Sequence, residues 1–119
     1  MVTVYGIRNC DKCRAAIKWF EGKDIDFRFH DLRSDGLATE DLEWWQKVVG
    51  DDALMNKRSQ TWRKIPAPER DELDAPGNLR LMLNHPTLIK RPIVTKGSAV
   101  VVGYDESGWE NTLLAQERY

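Results

Sequence analysis

Val2-Thr3-Val4-Tyr5-Gly6-Ile7-Arg8-Asn9-Cys10-Asp11-Lys12-Cys13-Arg14-Ala15-Ala16 is the stretch on which the fold turns. A short apolar run passes a glycine, and two thiols three residues apart then appear where a helical pattern takes over. The run reads as a strand, with the thiols at the start of the following helix. A helix N-terminus carries roughly half a positive charge and unsatisfied N–H groups, so it favours a thiolate over a thiol. Cys10 is therefore the candidate nucleophile, and Cys13 the second thiol of a redox pair. Lys12 and Arg14 should favour the Cys10 anion, and Asp11 should oppose it.

Two other readings of the pair compete with this one. Cysteine is among the most buried residue types, so both thiols could be inert core. They could also be half of a zinc site completed by His30 and His85. Zinc sites of that type keep their histidines close together in sequence, and these two are far apart. No metal is expected.

Composition narrows the classes further. A chain of 119 residues suits one domain with one core. With 18 basic and 19 acidic residues the net charge is −1, so nothing draws the whole molecule toward nucleic acid. Two cysteines are too few for a secreted disulfide scaffold. No leader-like segment opens the chain, and no apolar run approaches the ~20 residues needed to cross a bilayer. The expectation is a cytoplasmic protein in a reducing compartment, with no membrane partner and no direct nucleic-acid partner.

Outward from the opening stretch, Cys13, Ala16, Ile17 and Phe20 share one helical face, and Gly22 is a plausible stop. Phe27 and Phe29 alternate with Arg28 and His30 as in a half-buried strand, which makes His30 an ordinary strand histidine. This gives a β-α-β unit with parallel strands. Thr39 is placed to cap a helix whose buried stripe is Leu42, Trp45, Val48 and Val49. Pro66, Pro68, Pro76 and Gly77 then keep helices short. Leu79, Met82 and Leu83 form a small apolar face that ends at His85. Two strands around Lys96-Gly97-Ser98 read as an antiparallel hairpin, and Asp105 or Ser107 can cap a last helix with Trp109 and Leu113 inward. The fold class is α/β. It is a mixed four-stranded sheet in which a helical insertion (38–87) separates a βαβ half (1–37) from a ββα half (88–119).

This order, with Gly6-Ile7-Arg8-Asn9-Cys10, Phe29-His30-Asp31, Asp35-Gly36-Leu37, Thr61-Trp62-Arg63-Lys64 and Ile89-Lys90-Arg91-Pro92-Ile93, resembles the ArsC/Spx family, and within it the YffB-type proteins. The resemblance covers almost the whole chain. It implies a thioredoxin-like fold with Cys10 as nucleophile and glutathione-dependent reduction of thiol partners; the mixed disulfide on Cys10 would be released by glutathione or by attack from Cys13 as resolving thiol. Arg58 and Arg91 match arginines that hold the oxyanion or glutathione-linked intermediate, and Pro92 matches the cis-proline beside the active thiol. Lys12 and Arg14 join Arg58, Arg91 and Pro92 as the expected substrate-binding set. Two departures stand out. Arsenate reductases of the family carry a third arginine where this chain has Gly103, and a serine where it has Cys13. The Spx regulators do carry a Cys-x-x-Cys. Two alternatives to the reductase therefore remain: a redox-switched regulator binding the RNA polymerase alpha subunit, and an arsenate reductase.

Overall fold

The computed structural model describes residues 1–114; the end of the expected core, 115–119, lies outside the described residues. Val2–Gly6 forms strand β1, buried along its whole length as a central strand must be. Asp11–Gly22 forms helix α1, whose buried residues Cys13, Ala16 and Phe20 recur at helical steps. Phe27–Asp31 forms β2, and the helical crossover makes it parallel to β1, with Val2 opposite Phe27 and Gly6 opposite Asp31. Ile93–Lys96 and Ala99–Val102 form β3 and β4, an antiparallel hairpin turning through Gly97 and Ser98. β3 pairs antiparallel with β1, giving the sheet order β2-β1-β3-β4. This is the mixed thioredoxin-like sheet expected from the sequence.

The chain divides into two units, Met1–Gly36 with Arg91–Tyr119, and Leu37–Lys90, where the sequence suggested an insertion at 38–87. In the first unit, Val2, Val4, Ala16, Phe20, Val94, Val101, Trp109 and Leu113 form the core. Trp109 packs its ring against Trp19 and Phe20 at centroid separations of 5.1 Å each. Large apolar side chains buried this way each contribute about 1.5–3 kcal/mol. Trp109 is set in place by a short helical turn, Glu106–Gly108, which Asp105 caps by accepting the Gly108 N–H at 3.0 Å. A π-helical turn, Trp109–Leu114, follows it.

In the second unit, helix α2 (Thr39–Val49) buries Leu42 and Trp45 and packs against the helix Ala75–Asn84. Shorter helical turns at Asp51–Leu54, Gln60–Lys64 and Ala67–Arg70 lie between them. Three expectations need correcting. Thr39 is the first helical residue, and Ala38 sits at the cap position without a side-chain bond. Val48 is 50% exposed, because helical steps carry it off the stripe shared by Leu42 and Trp45. In Ala75–Asn84 the buried side chains are Leu81 and Met82, beside the buried Gly77, while Leu79 and Leu83 are only half-buried. Among the described residues no helix is long and apolar enough to cross a membrane.

Candidate active site

Cys10 is the residue at which β1's trailing loop becomes α1. Its backbone is extended, with φ −138° and ψ 123°, and its sulfur is half-buried. This is the N-cap position, where side chains meet the free N–H groups of the first turn. The sulfur makes no conventional capping hydrogen bond, yet the Cys13 N–H directed toward it still favours the anion. Burial is the largest single influence and works against ionisation. It is outweighed by the Cys13 N–H, the Cys13 thiol, and the hydrogen bond and charge of Arg91, so the Cys10 pKa lies below the ordinary thiol value.

Cys13 sits one turn further along and is fully buried. Burial pushes its pKa up to about 12, against the Ile7 N–H, which favours its anion, and with the neighbouring Cys10 sulfur, which disfavours it. The two cysteines are unbridged. They thus have opposite characters: Cys10 is the half-buried sulfur whose anion is favoured, and Cys13 the buried donor that supports it. Gly6 makes this packing possible. A Cβ there would run into the Cys13 sulfur, so only glycine lets β1 pass this close to α1.

Of the expected substrate-binding residues, the structure brings Arg91 to the thiol, where its guanidinium hydrogen-bonds the Cys10 sulfur. The next residue, Pro92, is buried and follows a cis peptide bond. Arg14 turns elsewhere: it pairs with Asp11 and donates to the Arg8 carbonyl at 3.4 Å. The two groups expected to act on Cys10 in opposite senses thus meet each other as an i,i+3 pair on one helix face. Lys12 is exposed on the first turn of α1. Arg58 belongs to the second unit, exposed on a turn where its N–H donates to Asn56 Oδ1 at 3.1 Å.

Gly103, at the place of the family's third arginine, has φ +83°, and its N–H donates to the Pro92 carbonyl at 2.7 Å. The left-handed backbone there suits glycine and strains an arginine. His30 is half-buried against Tyr5, with ring centroids 5.1 Å apart, and its Nε2 lies 2.7 Å from the Gly36 carbonyl. It is a strand histidine with satisfied contacts. His85 ends the helix Ala75–Asn84 at its C-cap. Among the described residues no three His, Cys, Asp or Glu side chains gather as a metal site requires.

Sequence reasoning missed the role of Gly6. A glycine inside an otherwise apolar strand was the available signal.

This geometry has counterparts in known proteins. A family model described as the ArsC family matches residues 5–112. An uncharacterized protein of Haemophilus influenzae is 39% identical over 110 residues, spanning 92% of this chain and 96% of that one. The global transcriptional regulator Spx of Listeria innocua is 30% identical over 108 residues, spanning 89% of this chain and 82% of the regulator. A solved structure of a YFFB protein matches with a TM-score of 0.90 at 29% identity, over 95% of this chain and 99% of that one.

Proposed function

We propose, from the premise that this chain belongs to the ArsC family, that it is a thiol–disulfide reductase with Cys10 as its nucleophile. One observation carries this reading: a half-exposed sulfur whose anion is favoured by the Cys13 N–H, the Cys13 thiol and Arg91, beside a second thiol kept protonated. A depressed pKa on an accessible sulfur is what separates a reactive cysteine from a structural one.

The Cys10 thiolate attacks one sulfur of a disulfide R–S–S–R′. The Cys10–S–R bond forms as the S–S bond breaks, and R′–S⁻ leaves with the electron pair. Cys10 has now lost its charge, and with it one of the influences that kept Cys13 protonated. Cys13 releases its proton to the departing thiolate or to water and attacks the Cys10 sulfur, so that R–S⁻ leaves and a Cys10–Cys13 disulfide remains. Two glutathione thiols then restore the dithiol and end as glutathione disulfide. Arg91 stabilises the thiolate in each form where Cys10 carries charge, because a guanidinium offers forked donors and a fixed cation. Arg91 binds the anionic end of the thiol partner, the family pattern adding Arg58, while Lys12 favours the Cys10 anion and Pro92 borders the reacting sulfur; Arg14 is held by Asp11. The chemistry suits a reducing cytoplasm.

The test is the rate of Cys10 alkylation against pH, paired with mass spectrometry after treatment with glutathione disulfide. A midpoint below the ordinary ~8.5 of a free thiol, and a glutathione adduct on Cys10 that converts to an internal bridge, are the expected results. Titration near the ordinary value would sink the reading.

A second reading is favoured by the 30% identity to an Spx regulator together with the Cys-x-x-Cys that the family resemblance attributes to that branch. In it the thiols switch binding to the RNA polymerase alpha subunit. Capture of that subunit by only one redox form would support the switch, and equal binding or none would support the enzyme. Arsenate reduction is disfavoured by Gly103, whose backbone leaves no easy place for a third arginine.

A further inference from the structure

Asp31 is buried at the end of β2, and both of its carboxylate oxygens are engaged. Oδ2 accepts the Arg8 N–H at 3.1 Å, while Oδ1 accepts the N–H groups of Arg33 at 2.8 Å and Ser34 at 3.1 Å. Its own N–H donates to Asp35 Oδ2 at 2.9 Å. The Arg8 Nε lies 3.8 Å from Oδ2, and the guanidinium stands 5.2 Å from the centre of the Phe29 ring. From the opposite side, Arg14 reaches the Arg8 carbonyl. The Arg8 backbone, two positions before Cys10, is thus held on both sides of its Cα, at its N–H and at its C=O.

The sheet does not require these bonds. The β1–β2 pairing ends at Gly6 and Asp31, and the Leu32 N–H closes the last rung on the Gly6 carbonyl at 2.8 Å. Past that rung nothing in the ladder fixes Ile7 to Asn9, so the course of the chain into Cys10 must be set by other groups. A buried charge is expensive unless it is paired and hydrogen-bonded; of the three N–H groups that Asp31 accepts, those of Arg33 and Ser34 belong to the turn after β2, and that of Arg8 belongs to the thiol's own loop.

We propose that Asp31 is a positioning residue for the reactive thiol: its carboxylate holds the Arg8 peptide, and through it the turn that delivers Cys10 to the N-terminal end of α1. The proposal rests on Cys10 being the nucleophile of the reductase reading. The clamp persists through neutral pH. Burial by itself would raise the Asp31 pKa, but the N–H groups of Ser34, Arg33 and Arg8 and the Arg8 charge hold it below the ordinary carboxylate range.

The direction of the effect separates positioning from its rivals. Deleting a negative charge near a thiol would by itself favour the thiolate and lower the Cys10 pKa. Loosening the turn withdraws the helix-end N–H and Arg91 from the sulfur and raises it. A purely structural role would lower the unfolding midpoint and leave the thiol where it was.

The experiment measures Cys10 alkylation by iodoacetamide against pH in the full chain, in wild type, Asp31→Asn and Asp31→Ala. Asn keeps the size and one acceptor, and Ala keeps neither. The expected order of Cys10 pKa is wild type, then Asn, then Ala, with alkylation of the Ala variant below its midpoint roughly three- to tenfold slower, a rise of about half to one unit. Should the Ala variant not fold, the Asn variant carries the same sign. A Cys10 midpoint that stays put or falls in the variants, with the wild type depressed, overturns this proposal alone. A wild-type midpoint at the ordinary thiol value overturns the reductase reading and this proposal together.

Discussion

Replacing Cys13 by alanine or by serine separates the two tasks of the buried thiol. Both changes abolish an internal disulfide, so both should trap the mixed disulfide on Cys10. They differ in the donor. The Cys13 thiol donates to the Cys10 sulfur and is itself met by the Ile7 N–H. Serine can reproduce both bonds, its hydroxyl accepting from Ile7 and donating to Cys10. Alanine can reproduce neither. Hydrogen bonds to a charged group are worth about 1.5–3 kcal/mol. A thiol is a weak donor, which places this one at the lower end. At 1.36 kcal/mol per unit, losing ~1.5 kcal/mol raises the Cys10 pKa by about one unit. Below its midpoint the thiolate fraction then falls about tenfold. The assay is alkylation of Cys10 by iodoacetamide across pH, with the adduct read by mass. The expected result is a midpoint about one unit higher in Cys13→Ala and within a few tenths of wild type in Cys13→Ser. A Cys13→Ala midpoint unchanged from wild type would show that the buried thiol lends the anion no support and would refute the pairing of the two sulfurs.

Other tests address the packing and the pH response. Gly6→Ala should destabilise the fold by about 1–3 kcal/mol in urea denaturation, because its Cβ meets the Cys13 sulfur. Combining it with Cys13→Ala should recover at least ~1 kcal/mol of that loss, the coupling expected of atoms in contact. Gly103→Arg should cost about 1–2 kcal/mol, since φ +83° disfavours a side chain, and should bring no arsenate turnover in a glutathione-coupled assay. The Cys13 proton gives a pH signature. In the folded protein its pKa is pushed up to about 12, whereas the unfolded thiol releases its proton near ~8.5. The folded state therefore binds the extra proton within that window. The stability contribution is fully present below the lower value and is lost as pH rises toward the upper one, by about 1.4 kcal/mol per pH unit. Urea curves at pH 8 and pH 10 should show wild type losing more stability than Cys13→Ala over this interval.

Some of this protein was legible without coordinates. The β-α-β opening, the hairpin and the position of the thiols at the start of α1 follow from periodicities and turn residues within a dozen neighbours. Such signals are local, and the backbone obeys them wherever nothing distant opposes. The inward positions of Trp109 and Leu113 were likewise readable from helical spacing. Local reasoning failed where several registers were possible, as at Val48 and at Thr39, because a helix can start one residue earlier or later and still bury a stripe.

The site divides along the same line. The sequence by itself determined which sulfur would sit at a helix end, because capping position and dipole belong to a single element. Which cation would meet that sulfur was decided only by tertiary structure. Lys12 and Arg14 are neighbours in the chain, yet Arg14 pairs with Asp11 while Arg91, distant in sequence, hydrogen-bonds Cys10. The burial that separates Cys13 from Cys10, the space Gly6 leaves for the Cys13 sulfur and the Asp31 clamp on Arg8 arise in the same way. Each depends on how strand, helix and loop meet in space, and electrostatic and packing energies are set by those separations and not by position along the chain.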